Sequence, residues 1–122
     1  MTPAVVFLNE QHSLLPSQTT ALDNHPNFKE WLVIPVPSTG WTLAEMRDIV
    51  AQYSVFGTTI IMGSPIPFLT GAFAGRAKDD GTEIFIMHND KRCAKEITDQ
   101  KTGQTKVIHT LAPDGWECVR VA

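Results

Sequence analysis

The chain has 122 residues, 43% of them apolar and 19% charged, a globular composition at the size of one domain that excludes a disordered or fibrous chain. Its net charge of −3 excludes a broad basic face for duplex nucleic acid, although a local patch can still hold one small anion. Its apolar runs stop well short of the ~20 residues that span a bilayer, which argues against a membrane protein.

Ala4 to Asn9 (AVVFLN) is a nearly continuous apolar run, as expected of a parallel strand covered on both faces. No basic leader or cleavage site precedes it, so no signal peptide is expected. A polar loop, Glu10 to Ser13, leads to Pro16, which suits the first turn of a helix reaching about Asp23. Asn24 to Asn27 reads as a loop, and Trp31 to Val36 as a second apolar strand closed by Pro37-Ser38-Thr39-Gly40. Thr42 and Glu45 have the spacing of a capping box, and Leu43, Met46, Ile49, Val50 and Tyr53 fall on one helical stripe. Thr58 to Met62 is a short β-branched strand followed at once by Gly63-Ser64-Pro65. Pro65 is expected to open a helix running to about Lys78, with small residues between Leu69 and Gly75 that permit close approach, including that of a second helix in a homodimer. Glu83 to Met87 is a fourth strand, ending at His88-Asn89-Asp90.

The remainder changes character. Cys93 to Thr98, Gln104 to Leu111 and Trp116 to Val121 read as strands separated by turns at Thr102-Gly103 and Asp114-Gly115. The order of elements predicts a single α/β domain over residues 1–122. Its core, about residues 4–92, is expected to be a short, doubly wound, mostly parallel, Rossmann-like sheet, with an antiparallel meander over about 93–122 added to the sheet edge. Cys93 and Cys118 have neither metal-ligand nor disulfide spacing, and their strand positions predict buried reduced thiols and a cytoplasmic location.

In an open parallel sheet, ligands bind beyond the carboxyl ends of the strands. Three such ends carry candidate chemistry. Gly63 allows backbone to approach a ligand, Ser64 can cap the next helix, and the first helical amides favour an anion; the bland alternative is an ordinary strand-to-helix turn. Asn89, Lys91 and Arg92 follow the fourth strand, where Arg92 offers a planar fork and Lys91 a point charge to a phosphate, unless both are merely solvated. Asn9, Gln11, His12 and Ser13 follow the first strand, and His12 is the candidate general acid or base because its ordinary pKa lies near neutrality. His25 and His109 lack companion ligands, so neither a metal nor another cofactor is expected. No nucleophile elbow is present, and Trp31, Trp41 and Trp116 are expected at the sheet margin or an interface.

The stretch FLNEQHSLLPSQ, a strand running into His12-Ser13 and then Leu14-Leu15-Pro16-Ser17-Gln18, resembles the start of small type III CRISPR-associated proteins of the ring-nuclease type. These have a Rossmann-like fold similar to CARF domains, the sensors of cyclic oligoadenylate. IIMGSPIPFLTGAFAG and FIMHNDKR are also similar, so the likeness covers roughly residues 4 to 95. It implies a homodimer that binds a cyclic oligoadenylate across its axis and cleaves it without metal in some members. Carried over, His12, Ser13 and Gln18 would lie at the first strand end, Gly63 and Ser64 on a phosphate-facing loop, and Lys91 and Arg92 at the fourth strand. The alternatives from the residues alone are a non-catalytic protein-interaction module and a small enzyme acting on another phosphorylated metabolite.

Overall fold

The computed structural model describes residues 3–55 and 57–122. Elements alternate as β1 (Ala4–Asn9), α1 (Pro16–Asp23), β2 (Trp31–Val36), α2 (Leu43–Tyr53), β3 (Thr59–Met62), α3 (Pro67–Asp80) and β4 (Glu83–His88), followed by β5 (Arg92–Thr98), β6 (Thr105–Leu111) and β7 (Glu117–Arg120). One five-stranded sheet has the order β2-β1-β3-β4-β7. The first four strands run parallel, and β7 returns antiparallel beside β4.

Period-two alternation explains the layers. Val5 and Phe7 of β1 point to one face, where they meet Ile60, Met62 and Ile84 of neighbouring strands, Val50 of α2, and Leu69 and Phe73 of α3. Ala4 and Val6 point to the other face, where Ile61 and Phe85 pack with Leu22 of α1 and with Phe28. Helices therefore cover both faces, and β1 is an interior strand, between β2 and β3, with Ala4, Val6 and Phe7 wholly buried. Burial of each large apolar side chain stabilises the fold by about 1.5–3 kcal/mol. Phe7 is further held by edge-on contacts with Trp41 and Tyr53 at 6.1 and 5.5 Å between ring centres.

The capping box of α2 forms as its spacing predicts: Thr42 Oγ1 accepts from Glu45 N–H at 3.1 Å, and Glu45 Oε1 accepts from Thr42 N–H at 3.1 Å. α3 begins two residues later than expected. Pro67 biases Ile66 away from helical torsions, and Ile66 is extended at φ −129°, ψ 96°, so the helix opens on the second proline rather than on Pro65. Ser64 consequently caps nothing. Gly71 and Gly75 would each meet nothing within 4 Å if given a Cβ, while Leu69 and Phe73 are buried in the chain's own core. Of the small residues of α3, Gly71 and Gly75 are thus open, whereas Ala72 and Ala74 pack against the core.

The expected meander is corrected. Only β7 joins the sheet edge; β5 and β6 form a separate two-stranded ribbon, exposed along its whole length. Their alternation gives each face charged and apolar residues together, so neither face has the continuous apolar surface that packs on a core. Cys93 follows the ribbon and is exposed, contrary to the expected burial, whereas Cys118 on β7 is half-buried. Both are free thiols, and burial pushes that of Cys118 up to about 11. No helix among the described residues is long and apolar enough to cross a membrane.

Candidate functional site at the strand ends

From β1 the chain passes through α1 to the sheet edge at β2, then crosses α2 to β3 on the other side of β1. Connections diverge from the carboxyl ends of β1 and β3, which opens a crevice there. A cavity of about 620 Å³ fills it, with Asn9, Gln11, His12 and Ser13 on one wall, Gln18 from α1 on another, and Gly63 and Ser64 opposite. Leu8, Leu15, Pro65 and Trp116 complete the lining. Seven candidate residues from three separate stretches of sequence therefore border one space.

Local bonds hold this loop in shape. Asn9 N–H donates to Ser64 Oγ at 2.8 Å, its Oδ1 accepts from Gln11 N–H at 2.9 Å, and its backbone oxygen accepts from His12 N–H at 2.9 Å. Glu10 Oε1 accepts from both the amide and the hydroxyl of Ser38, tying the loop after β1 to the loop after β2. Those bonds lower the Glu10 carboxyl pKa. Gln18 is only 6% exposed, and its Oε1 accepts from Leu15 N–H at 2.8 Å. Its Nε2 has no protein partner among the described residues, which leaves a donor bordering the cavity.

Gly63 and Ser64 play a different part from the one expected. Their amides both donate to Phe7 O, at 2.8 and 3.0 Å, so they are not free to cradle an anion. Glycine eases the packing at this position, because a Cβ would stand 3.1 Å from Phe7 O and 3.2 Å from Leu8 Cδ1 and force one of them to shift. The contribution of this turn to the cavity is the Ser64 hydroxyl. His12 is exposed at the rim, and its ring has no hydrogen-bond partner among the described residues.

Next to this polar chamber lies a second cavity of about 560 Å³ that shares Gly63, Pro65 and Trp116 with it. Met62, Ile66, Ile86, Met87 and Leu111 make it apolar, with Thr70, His88 and Arg92 among its polar lining. The basic pair separates here. Arg92 borders the apolar chamber, but its Nη1 donates to Asn89 O at 2.8 Å; Lys91 borders neither chamber and pairs with Asp114 at 2.6 Å. That bond lowers the Asp114 pKa. Asn89 is 4% exposed, and its amide nitrogen donates to Ala112 O and Asp114 O while Oδ1 accepts from Lys91 N–H. The expected convergence of Lys91 and Arg92 with Ser64 on one phosphate is not formed, because both cations are engaged at the root of the ribbon.

Trp116 was not anticipated as a site residue. Its backbone N–H donates to Ser17 Oγ at 3.1 Å across 99 residues of sequence, and its indole Nε1 is buried without a partner. The Asp114-Gly115 turn before it is the only local signal, and it marks a strand start rather than a cavity wall. No group of three or more metal-ligating side chains occurs among the described residues. Comparison with protein-family profiles, with curated proteins and with solved structures finds no match to this chain.

Proposed function

We propose that the strand-end cleft of a doubly wound, Rossmann-like core binds an anionic nucleotide, a cyclic oligoadenylate in a homodimer, and cleaves it without metal. The observation that carries this reading is the pairing of two abutting chambers, one strongly apolar and the other richer in polar groups. The apolar chamber suits a flat base beside Trp116 and Met87, and the polar chamber offers neutral donors to ribose and phosphate. Among the described residues Arg92 is the one lysine or arginine bordering either chamber, so recognition of the phosphate falls chiefly to the Gln18 amide and the Ser13 and Ser64 hydroxyls. Each such bond, accepted by a charged phosphate oxygen, contributes about 1.5–3 kcal/mol.

In the cleavage step, His12 takes the proton of a ribose 2′-OH. O2′ attacks the adjacent phosphorus, the P–O5′ bond breaks, and the departing 5′ oxygen takes a proton from water to become a hydroxyl, while His12 returns its proton to the solvent. A 2′,3′-cyclic phosphate remains. As general base His12 would contribute about 10²–10⁴-fold in rate. Cytoplasmic location accompanies this reading, supported by two unpaired cysteines.

Titration with cyclic tetra- and hexa-adenylate, against linear adenylates, tests binding: saturable heat and a raised melting temperature are expected, and their absence overturns the reading. Single-turnover assays in EDTA then test cleavage, with His12→Ala expected to slow the bound step and not merely binding. Turnover at the parent rate in His12→Ala would remove His12 as base. The exposed ribbon favours the rival reading of a non-catalytic interaction module, which predicts no nucleotide-dependent stabilisation.

A further inference from the structure

Every residue from Asp90 to Leu111 is exposed, and among the described residues β5 and β6 pair as strands only with each other. A lone two-stranded ribbon is marginal in water. Its root, by contrast, is fixed by the three Asn89 side-chain bonds, the Lys91–Asp114 pair, and Ala112 N–H donating to Lys91 O at 3.0 Å. A rigid root under an unsupported arm is the geometry of an element completed by a partner.

We infer that the ribbon is a dimerisation arm, which lies antiparallel against the same ribbon of a second copy and brings residues to the mouth of that copy's apolar chamber. The register decides which face is used. One face carries Arg92, Ala94 and Glu96 on β5 opposite Leu111, His109 and Val107 on β6. A two-fold axis through the Ala94–His109 pair sets Arg92 of each copy against Glu96 of the other, and Leu111 against Val107. The arginines meet acids and the large aliphatic side chains meet each other, while Ala94 and His109 on the axis each face their own copy. On the opposite face the same operation about the Lys95–Ile108 pair sets Lys95 against itself, which opposes contact. Arg92 and Leu111 also border the apolar chamber, so Glu96 and Val107 of the second copy arrive at its mouth. Each chamber is then completed in trans.

This inference rests on the homodimer of the reading above and not on its nucleotide. Sedimentation of the full chain tests it without ligand. The parent is expected to be a dimer, and Glu96→Arg or Arg92→Glu alone to weaken association about tenfold or more by placing like charges in contact. Mixing the two variants should restore the dimer, because each mixed contact regains one arginine and one acid. Val107→Asp, at a position exposed in one copy, should also give a folded monomer. A parent that stays monomeric overturns both the arm and the dimer. A dimer that survives all three variants, or variants that fail to recombine, removes the arm and leaves the dimer reading standing.

Discussion

β1 and the β5–β6 ribbon are both clear strands, yet one is the most buried element of the molecule and the other the most exposed. AVVFLN is apolar on both sides of the pleat and takes helices on both faces. RCAKEIT and TKVIHTL mix charge and apolar surface on each side, and none of the described residues buries them. Strand formation and strand burial are therefore separable: pairing needs β-branched residues in register, whereas burial needs a face without unpaired charge.

The largest test of that contrast is paired. Phe7→Ala should cost about 3–5 kcal/mol, while Ile97→Ala, on the ribbon face turned away from the inferred arm contact, should stay within about 0.5 kcal/mol, both read by denaturant unfolding. Comparable losses would mean that the ribbon packs on a core after all. Smaller is Gly63→Ala, where a methyl group forced toward Phe7 O and Leu8 should cost about 1–3 kcal/mol by the same measurement. A neutral result would show that the β1–β3 crevice yields.

Thiol reactivity sharpens the comparison without perturbing the fold. Cys93 on the ribbon is exposed, and Cys118 on β7 has its thiol held at about 11 by burial. Iodoacetamide at pH 8 should label Cys93 at least about tenfold faster, as peptide mapping would register. Equal rates would place the two cysteines in like surroundings. The smallest effect concerns the ribbon root. The Asp114 pKa is lowered first by the hydrogen bond from Lys91, so its stabilisation is present above the unfolded value of 3.8 and is lost as pH falls through the lower folded value. Asp114→Asn should flatten the acid limb of stability against pH. An unchanged limb would free the root from this pair.

The alternating α/β core was legible because each element carries its own signal: the β1 run, the Thr42–Glu45 box, the Pro16 start. Element ends fall within two residues of those expected, with α3 delayed by Pro67. The gathering of Asn9, His12, Gln18 and Ser64 about one cavity follows from their places at strand ends, which topology alone brings together. Lys91 and Arg92 misled because what engages them is non-local or main-chain: Asp114 lies 23 residues downstream, and the partner of Arg92 is a backbone oxygen. No spacing rule reports such partners. Trp116 escaped for the same reason, since the Ser17 hydroxyl that anchors it is remote in sequence. Alternation in the ribbon told which side chains share a face and was silent on whether anything covers it.

The Ser17–Trp116 contact also has a kinetic consequence. β1 through β4 are joined by helical crossovers, whereas the wall shared by both chambers exists only once a loop of nearly the whole domain has closed. Non-local closure of this kind is slow relative to helix and hairpin formation. The sheet core can therefore assemble while the cleft is still open along one side, and recruitment of β7 is what gives the cavity its final shape. A probe on Trp116 should accordingly register a later folding phase than one on Trp41, which packs directly against Phe7.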